Sequence, residues 1–196
     1  MATKTTARRQ GDTAERILDV AERLVQLRGF NGFSYADVAA ELDITKASLH
    51  YHYPGKAELG VALLNRYTER FAAALDAIDE NTAEPLAKLH AYSELYLEVL
   101  RGQRMCLCGM LAAEYRTLPD AMQQAVLSFF DINEVWLARV LETGRADGTL
   151  RFDGTAEEAA RMIIGSLEGA MLIAQPRDDP RRFQDVAALL FSSITS

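Results

Sequence analysis

An all-α fold is predicted for this chain: an N-terminal three-helix module followed by a larger helical body, about nine helices in total. Three observations predict it. Apolar residues recur every third or fourth position along almost the whole sequence, and no stretch alternates for long with period two. Glycine and proline punctuate those stretches, at Gly29, Pro54-Gly55, Pro85, Gly102, Pro119 and Pro180. A chain of 196 residues, 49 % hydrophobic and 25 % charged, is long enough for a small module joined to a larger core.

Residues 1–11 are mostly polar, with basic Lys4, Arg8 and Arg9, and read as a flexible arm rather than a leader. Arg8 and Arg9 suit either minor-groove insertion or simple solubilisation. The first helix begins near Asp12 or Thr13 and ends at Arg28 before Gly29, burying Ile17, Ala21, Leu24 and Val25. Phe30 and Phe33 plug the module's small core. Ser34 caps a second helix whose apolar line is Tyr35, Val38, Ala39 and Leu42, and Asp43-Ile44 form a turn. Thr45 caps a short third helix that ends near His50 or Tyr51, and Pro54-Gly55 breaks the chain again.

A helix of about eight residues, a tight turn and a second short helix is the helix-turn-helix arrangement. Its second helix lies in the major groove with its first side chains at the base edges. Here those are Thr45, Lys46, Ala47 and Ser48. They are small or donor-bearing, and Lys46 suits guanine acceptors or a phosphate. Tyr51, His52 and Lys56 follow at the helix end and suit phosphate contacts. The net charge of -7 does not oppose this. Residues 1–60 carry eight basic and eight acidic groups, and the deficit of thirteen against twenty lies beyond them.

The runs Ser34-Tyr35-Ala36-Asp37-Val38-Ala39 and Ser48-Leu49-His50-Tyr51-His52-Tyr53-Pro54-Gly55-Lys56-Ala57-Glu58-Leu59 resemble the N-terminal domain of the TetR family of repressors. The resemblance implies a DNA-binding domain over residues 12–55 and an effector-binding and dimerisation domain over 56–196. It implies a palindromic double-stranded operator, a homodimer and release by a small-molecule effector. By position, Ser34, Thr45, Lys46, Ser48, His50, Tyr51, His52 and Lys56 are the DNA-facing candidates, and Tyr53 is a core brace. Two departures stand out: Asp43-Ile44 occupy a turn where glycine is frequent, and His50 stands where the family has a phosphate-touching tyrosine.

The body continues with a long fourth helix from Lys56 to about Asp79, a lever between head and body. Pro85 opens a fifth that Gly102 ends, and a short sixth spans about Met105 to Tyr115. Pro119 opens a seventh, apolar around most of its circumference. A polar loop over 144–154 holds a few extended residues, Thr149 to Phe152. The eighth helix runs from Ala156 to Ala174 and the ninth from Pro180 to Phe191. The candidate effector pocket is Tyr92, Tyr96, Met110, Glu114, Phe129, Asn133 and Trp136, any of which also reads as plain core. A buried Glu114 needs a partner and selects a polar or cationic ligand. The resemblance makes the last two helices a twofold interface, with Met162, Gly165, Gly169, Phe183, Val186 and Leu190 as candidates.

Cys106 and Cys108 are the only cysteines, too few for a disulfide framework and spaced for neither an internal disulfide nor a zinc site. Cytoplasmic placement fits this usage. Cys106 is expected in the first turn of the sixth helix with Arg101 and Arg104 nearby, which favours a thiolate. The segment Cys106–Glu114 also resembles a TetR subgroup containing electrophile-sensing repressors, which implies a reactive Cys106 ahead of Cys108. The opposing reading is an inert, buried thiol. No catalytic array, metal cluster, cofactor motif or membrane span is visible, so an enzyme is not expected. A helical protein-interaction scaffold is the remaining alternative class.

Overall fold

The computed structural model describes residues 2–195, with side chains from Asp12 onward. Among the described residues it holds nine α-helices: α1 (Ala2–Arg28), α2 (Tyr35–Leu42), α3 (Lys46–His52), α4 (Lys56–Asn81), α5 (Pro85–Arg101), α6 (Leu107–Ala113), α7 (Asp120–Ala146), α8 (Ala156–Ala174) and α9 (Pro180–Ser192). Three-residue 3-10 turns follow α6 and α8. α1 starts at Ala2, so residues 2–11 of the stretch read as an arm over 1–11 are helical backbone continuous with the head. That stretch has no proline, and a lone glycine weakens a helix without stopping it. The two readings for Arg8 and Arg9 concern side chains outside the described set.

Local chemistry accounts for the head. Asp37 accepts from the Ser34 backbone N–H (2.7 Å) and from its hydroxyl (2.6 Å), which pins the start of α2. Thr45 Oγ1 accepts from Ser48 N at 3.1 Å and caps α3. Between them Asp43 sits in the left-handed region at φ 53°. This is the conformation that makes glycine frequent at such a turn, and aspartate is among the few side chains that tolerate it. Ile44 N then donates back to Ala39 O at 3.0 Å.

Ile17, Ala21, Leu24 and Val25 of α1 are buried against Phe30, Phe33, Val38 and Leu49. That cluster does not stop at the head. It runs unbroken through Leu59, Leu63 and Leu64 of α4 into the body. There α7 packs on α4 and α8, α9 covers α8 and α5, and α1 touches α4 and α6. The polar loop after α7 contributes one isolated bridge, Leu150 with Thr195, and Arg151 N donates to Ile194 O at 2.8 Å. The extended residues expected over Thr149 to Phe152 thus reduce to a tether for the C-terminal end.

The head–body joint rests on contacts that the sequence reading left out. α1 carries Glu15, Asp19 and Glu22 on one face. The Arg66 guanidinium reaches all three (3.0, 2.8 and 2.9 Å), and Arg70 adds a second bond to Glu22 at 3.1 Å. Arg23 and Glu41 pair α1 with α2.

Replacing Asp43 by glycine removes the left-handed penalty without removing a contact. The expected gain is about 0.5–1 kcal/mol, read as a rise in Tm of roughly 1–4 °C by circular dichroism.

Candidate DNA interface and effector core

α3 presents Lys46, Ala47, His50 and Tyr51 outward while Leu49 anchors the helix from beneath. Thr45 is exposed, and Ser48 and His52 are half-buried. The His50 ring packs on Tyr35 at 4.8 Å and its Nδ1 donates to Pro54 O at 2.9 Å, which leaves Nε2 for another partner. Tyr51 and His52 meet edge to face at 5.4 Å. Ser34 is exposed at the start of α2, but its hydroxyl proton is directed to Asp37.

Two residues hold this surface in place. Tyr35 Oη lies 2.9 Å from Tyr53 O and 2.6 Å from Gly55 O, tying α2 to the turn that ends α3. Burial, then the nearby Glu58 charge, pushes its phenol up to about 12, so it remains a donor. Lys56 was expected at a phosphate. Instead its ammonium donates to Phe30 O and Phe33 O (2.5 Å each) and sits 4.6 and 4.4 Å from the centres of their rings. Lys56 therefore braces the turn between α1 and α2. Tyr53 is half-buried, and its hydroxyl approaches Ala14 O at 3.4 Å, in keeping with a brace.

Glu114 lies at this joint as well, not in a pocket. It is half-buried at the end of α6, and its carboxylate accepts from Phe30 N at 2.6 Å and, more weakly, from Asn31 N at 3.4 Å. Asn31 Nδ2 also donates to Thr117 Oγ1 at 2.8 Å. Gly29 has φ 77°, and a Cβ there would lie 2.6 Å from Glu114 Oε1, so both the backbone and the close approach require glycine. The partner that the sequence demanded for Glu114 is thus the head's own backbone.

The remaining pocket candidates pack together. Tyr92 Oη meets Tyr96 Oη and Asn133 Oδ1, each at 2.9 Å, and Asn133 Nδ2 donates to Phe129 O at 2.8 Å. Trp136 stacks on Tyr92 (5.6 Å) and donates to Asp79 at 3.0 Å. Met110 is half-buried against the core. Tyr92, Tyr96, Asn133 and Trp136 thus satisfy one another's polar groups inside the core, and two clefts open beside other residues. A cleft of about 220 Å³ opens between α1, α4 and α5, with Tyr67 and Phe71 in its wall. A wider one of about 560 Å³ lies on the outer side of α7 and α8.

Glu168 of α8 was passed over in sequence. Its Oε1 is shielded from solvent and has no hydrogen-bond partner. A Cβ on Gly109 would fall 2.2 Å from its Oε2, so only glycine in α6 admits the carboxyl. Burial raises its pKa to about 7, against a smaller lowering by the Cys106 thiol within hydrogen-bonding reach. The signal was present: Glu168 is the only charged residue between Arg161 and Arg177.

Cys106 caps α6 instead of lying in its first turn, and both thiols are buried. The cations expected beside Cys106 are engaged elsewhere, Arg104 with Gln26 at 3.0 Å and Arg101 with Glu94 at 3.2 Å. Tyr67 Oη lies 3.9 Å from the sulfur. Burial and then the Glu168 charge push the Cys106 thiol well above its usual range, the reverse of the expected thiolate.

The pattern for bacterial regulatory proteins of the tetR family matches residues 17–63, and that for the tetracyclin repressor-like C-terminal domain matches residues 85–190. The chain belongs to the TetR family of transcriptional regulators. A TetR-family regulator from Agrobacterium tumefaciens is 32 % identical and superposes with a TM-score of 0.92 over 95 % of this chain and 100 % of its own. One from Legionella pneumophila is 34 % identical, with a TM-score of 0.84 over 92 % and 96 %. The transcriptional repressor NemR of Escherichia coli is 26 % identical over 84 % of each chain.

TetR-family regulators are non-catalytic and act on DNA as homodimers. Among the described residues of this TetR-family chain, no cluster of three or more His, Cys, Asp or Glu is placed to hold a metal, and no helix is long and apolar enough to cross a membrane. Its α8–α9 face is apolar and open. Met162 (46 % exposed), Leu172 (57 %), Ile173 (57 %), Val186 (39 %) and Leu189 (73 %) lie on it. Cβ atoms built on Gly165 and Gly169 would touch nothing. Phe183, expected on this face, is buried inside its own chain, and Leu190 is half-buried against the core. Leu172, Ile173 and Leu189 take their place.

A carboxyl raised from its usual 4.5 to about 7 binds its proton more tightly folded than unfolded. The stability it carries when protonated is therefore lost as pH rises between those values. The groups facing it are Tyr67, Tyr92, Tyr96, Cys106 and Cys108, all neutral in that window. Wild type is expected to lose on the order of 1–3 kcal/mol relative to Glu168→Gln between about pH 5 and pH 7.5, measured by urea unfolding across that range.

Proposed function

We propose that this TetR-family protein is a repressor that holds a palindromic operator as a homodimer and is released by a small-molecule effector bound in its helical body. The observation that carries the reading is the outward face of α3, with Lys46, Ala47, His50 and Tyr51 on a helix anchored by Leu49. Lys46 and Ala47 suit base edges, and His50 and Tyr51 suit phosphates. Lys56 acts on DNA through the turn it braces, and the third N–H of its ammonium is available to a phosphate.

One such head buries too little surface for tight specific binding. The open α8–α9 face supports its duplication, since an apolar surface lined by small residues permits close approach of a second copy. Two heads then meet half-sites a helical turn or more apart. Coupling runs through α6, which is capped by Cys106 in the core and by Glu114 against the head. An effector that repacks the core moves α6 and, with α4, re-aims the heads. Release requires that the effector prefer the arrangement that does not fit DNA.

Lys46→Ala is expected to weaken operator binding selectively over random duplex, by roughly 1–3 kcal/mol if it holds a base, in a gel-shift titration with a fragment from the protein's own promoter. Lys56→Ala lowers affinity for all sequences alike. Unchanged binding by both variants removes the assignment. Leu172→Glu with Leu189→Glu is expected to yield a monomer in sedimentation at micromolar concentration, and a dimer there removes the α8–α9 interface.

A second reading makes the protein an electrophile or oxidant sensor acting through Cys106. The similarity to NemR and the position of Cys106 at the start of α6 favour it. Burial requires that the core open before the thiol reacts. Cys106→Ser then keeps DNA binding and loses release by a quinone, and an unaltered response in that variant ends this reading.

A further inference from the structure

Among the described residues of the body, one half-buried glutamate has a carboxyl oxygen shielded from solvent and no counter-charge. Glu168 enters from α8 into the space bounded by α4, α5 and α6, with one oxygen unpartnered. No described ion pair includes it. The cations of the neighbouring helices are turned outward: Arg66 and Arg70 to α1, Lys88 to Asp79, and Arg104 to Gln26. The groups beside the carboxyl are the Cys106 thiol, within hydrogen-bonding reach, and the Gly109 backbone, whose missing side chain leaves it room.

Tyr67, Tyr92 and Tyr96, which face this carboxyl, belong to one aromatic cluster. Phe71 lies 6.3 Å from Tyr67, 6.1 Å from Tyr92, 6.0 Å from Tyr96 and 5.1 Å from Phe129, centre to centre. Tyr67 belongs both to this cluster and to the wall of the cleft between α1, α4 and α5, and its hydroxyl meets the Cys106 sulfur. Tyr67 and then Cys106 thus stand between the wall of the cleft and the carboxyl. Ring faces attract cations, a buried carboxylate needs one, and the rings of Tyr67 and Phe71 offer carbon substituents an apolar contact.

We propose that the effector is a small organic ammonium, with its charge against Glu168 and its carbon groups among Tyr67, Phe71 and Phe129. This rests on the reading of the body as the effector site. An ammonium entering by the Tyr67–Phe71 wall ionises the carboxyl and supplies the counter-charge that the apo core lacks. It also presses on Gly109 and Cys106, the part of α6 from which the link to Glu114 and the head begins. Burial already holds the carboxyl near neutrality, so ionisation in the complex takes little driving force.

Trp136 is the only tryptophan and stacks on Tyr92, so its fluorescence reports on this core. The full-length protein is titrated with benzyltrimethylammonium, benzyl alcohol and benzoate. The expected result is saturable quenching, with the ammonium binding at least about tenfold more tightly than the alcohol. In folded Glu168→Gln that preference disappears while the alcohol affinity is retained. Gly109→Ala, whose added methyl displaces the carboxyl, is expected to reduce ammonium binding in the same direction and is a second, independent test. A preference for benzyl alcohol or benzoate overturns the ammonium assignment while leaving the core as the effector site. An ammonium preference that persists in both variants also overturns it. No response to any of the three overturns the proposal and the effector reading of the core together.

Discussion

The turn after α1 is gripped from two sides, and the rest of the molecule depends on that grip. At Phe30 the N–H is taken by Glu114 from α6, and the carbonyl is taken by Lys56 at the start of α4. Both bonds join a charged group to a backbone dipole, which makes them stronger than neutral ones. They converge where Gly29 lets the chain turn with positive φ. A head packed only through Phe30 and Phe33 would rotate on its apolar contacts, because hydrophobic burial is not directional. The paired bonds remove that freedom. The Arg66 hub on α1 does the same along the flank of α4. Together they make the orientation of α3 a property of the body.

This arrangement explains how a regulator can be stable and still be switched. The hydrophobic cluster is continuous from Ile17 to Ile194, so head and body share one packed interior. Packed interiors shift between discrete arrangements more readily than they deform. α6 is the shortest body helix: Cys106 caps its start, Cys108 and Gly109 lie in it with Gly109 beside Glu168, and Glu114 caps its far end. The one uncompensated polar group in this region therefore lies against the element that also holds the head. A group that costs free energy in the apo state and recovers it in the bound state supplies the differential affinity that any ligand-driven switch requires.

The surface has a division of its own. Acidic groups dominate beyond residue 60, while the head is neutral overall. On the proposed reading, DNA would meet Lys46 on a neutral head and be repelled by the acidic body. The α8–α9 face departs from this pattern, with exposed leucine, isoleucine and methionine side chains flanking glycines. It is the surface that a second copy would remove from water, and it lies far along the chain from the head it duplicates.

Local chemistry made the helices legible. Capping at Ser34 and Thr45, Pro85 at the start of α5, Gly102 at the end of it and period-3.6 burial in α1 are determined within a few residues, and sequence carries them directly. The aromatic-rich stretch from Ser48 to Leu59 was equally legible as a DNA-binding head. What only the tertiary structure decided were the roles of polar side chains whose partners lie far away in sequence. Lys56 and Glu114 read as a phosphate ligand and a pocket acid, yet both close on the backbone near Phe30, across separations of 26 and 84 residues. Phe183 turned inward although its helix also carries an open face, because burial depends on which neighbour covers each stripe. The Cys106 environment reversed its expected sign because packing buried the thiol, Glu168 arrived from α8 and Arg104 turned to Gln26. Periodicity is a local property and survives in one dimension, whereas the partner of a charge is fixed by packing in three.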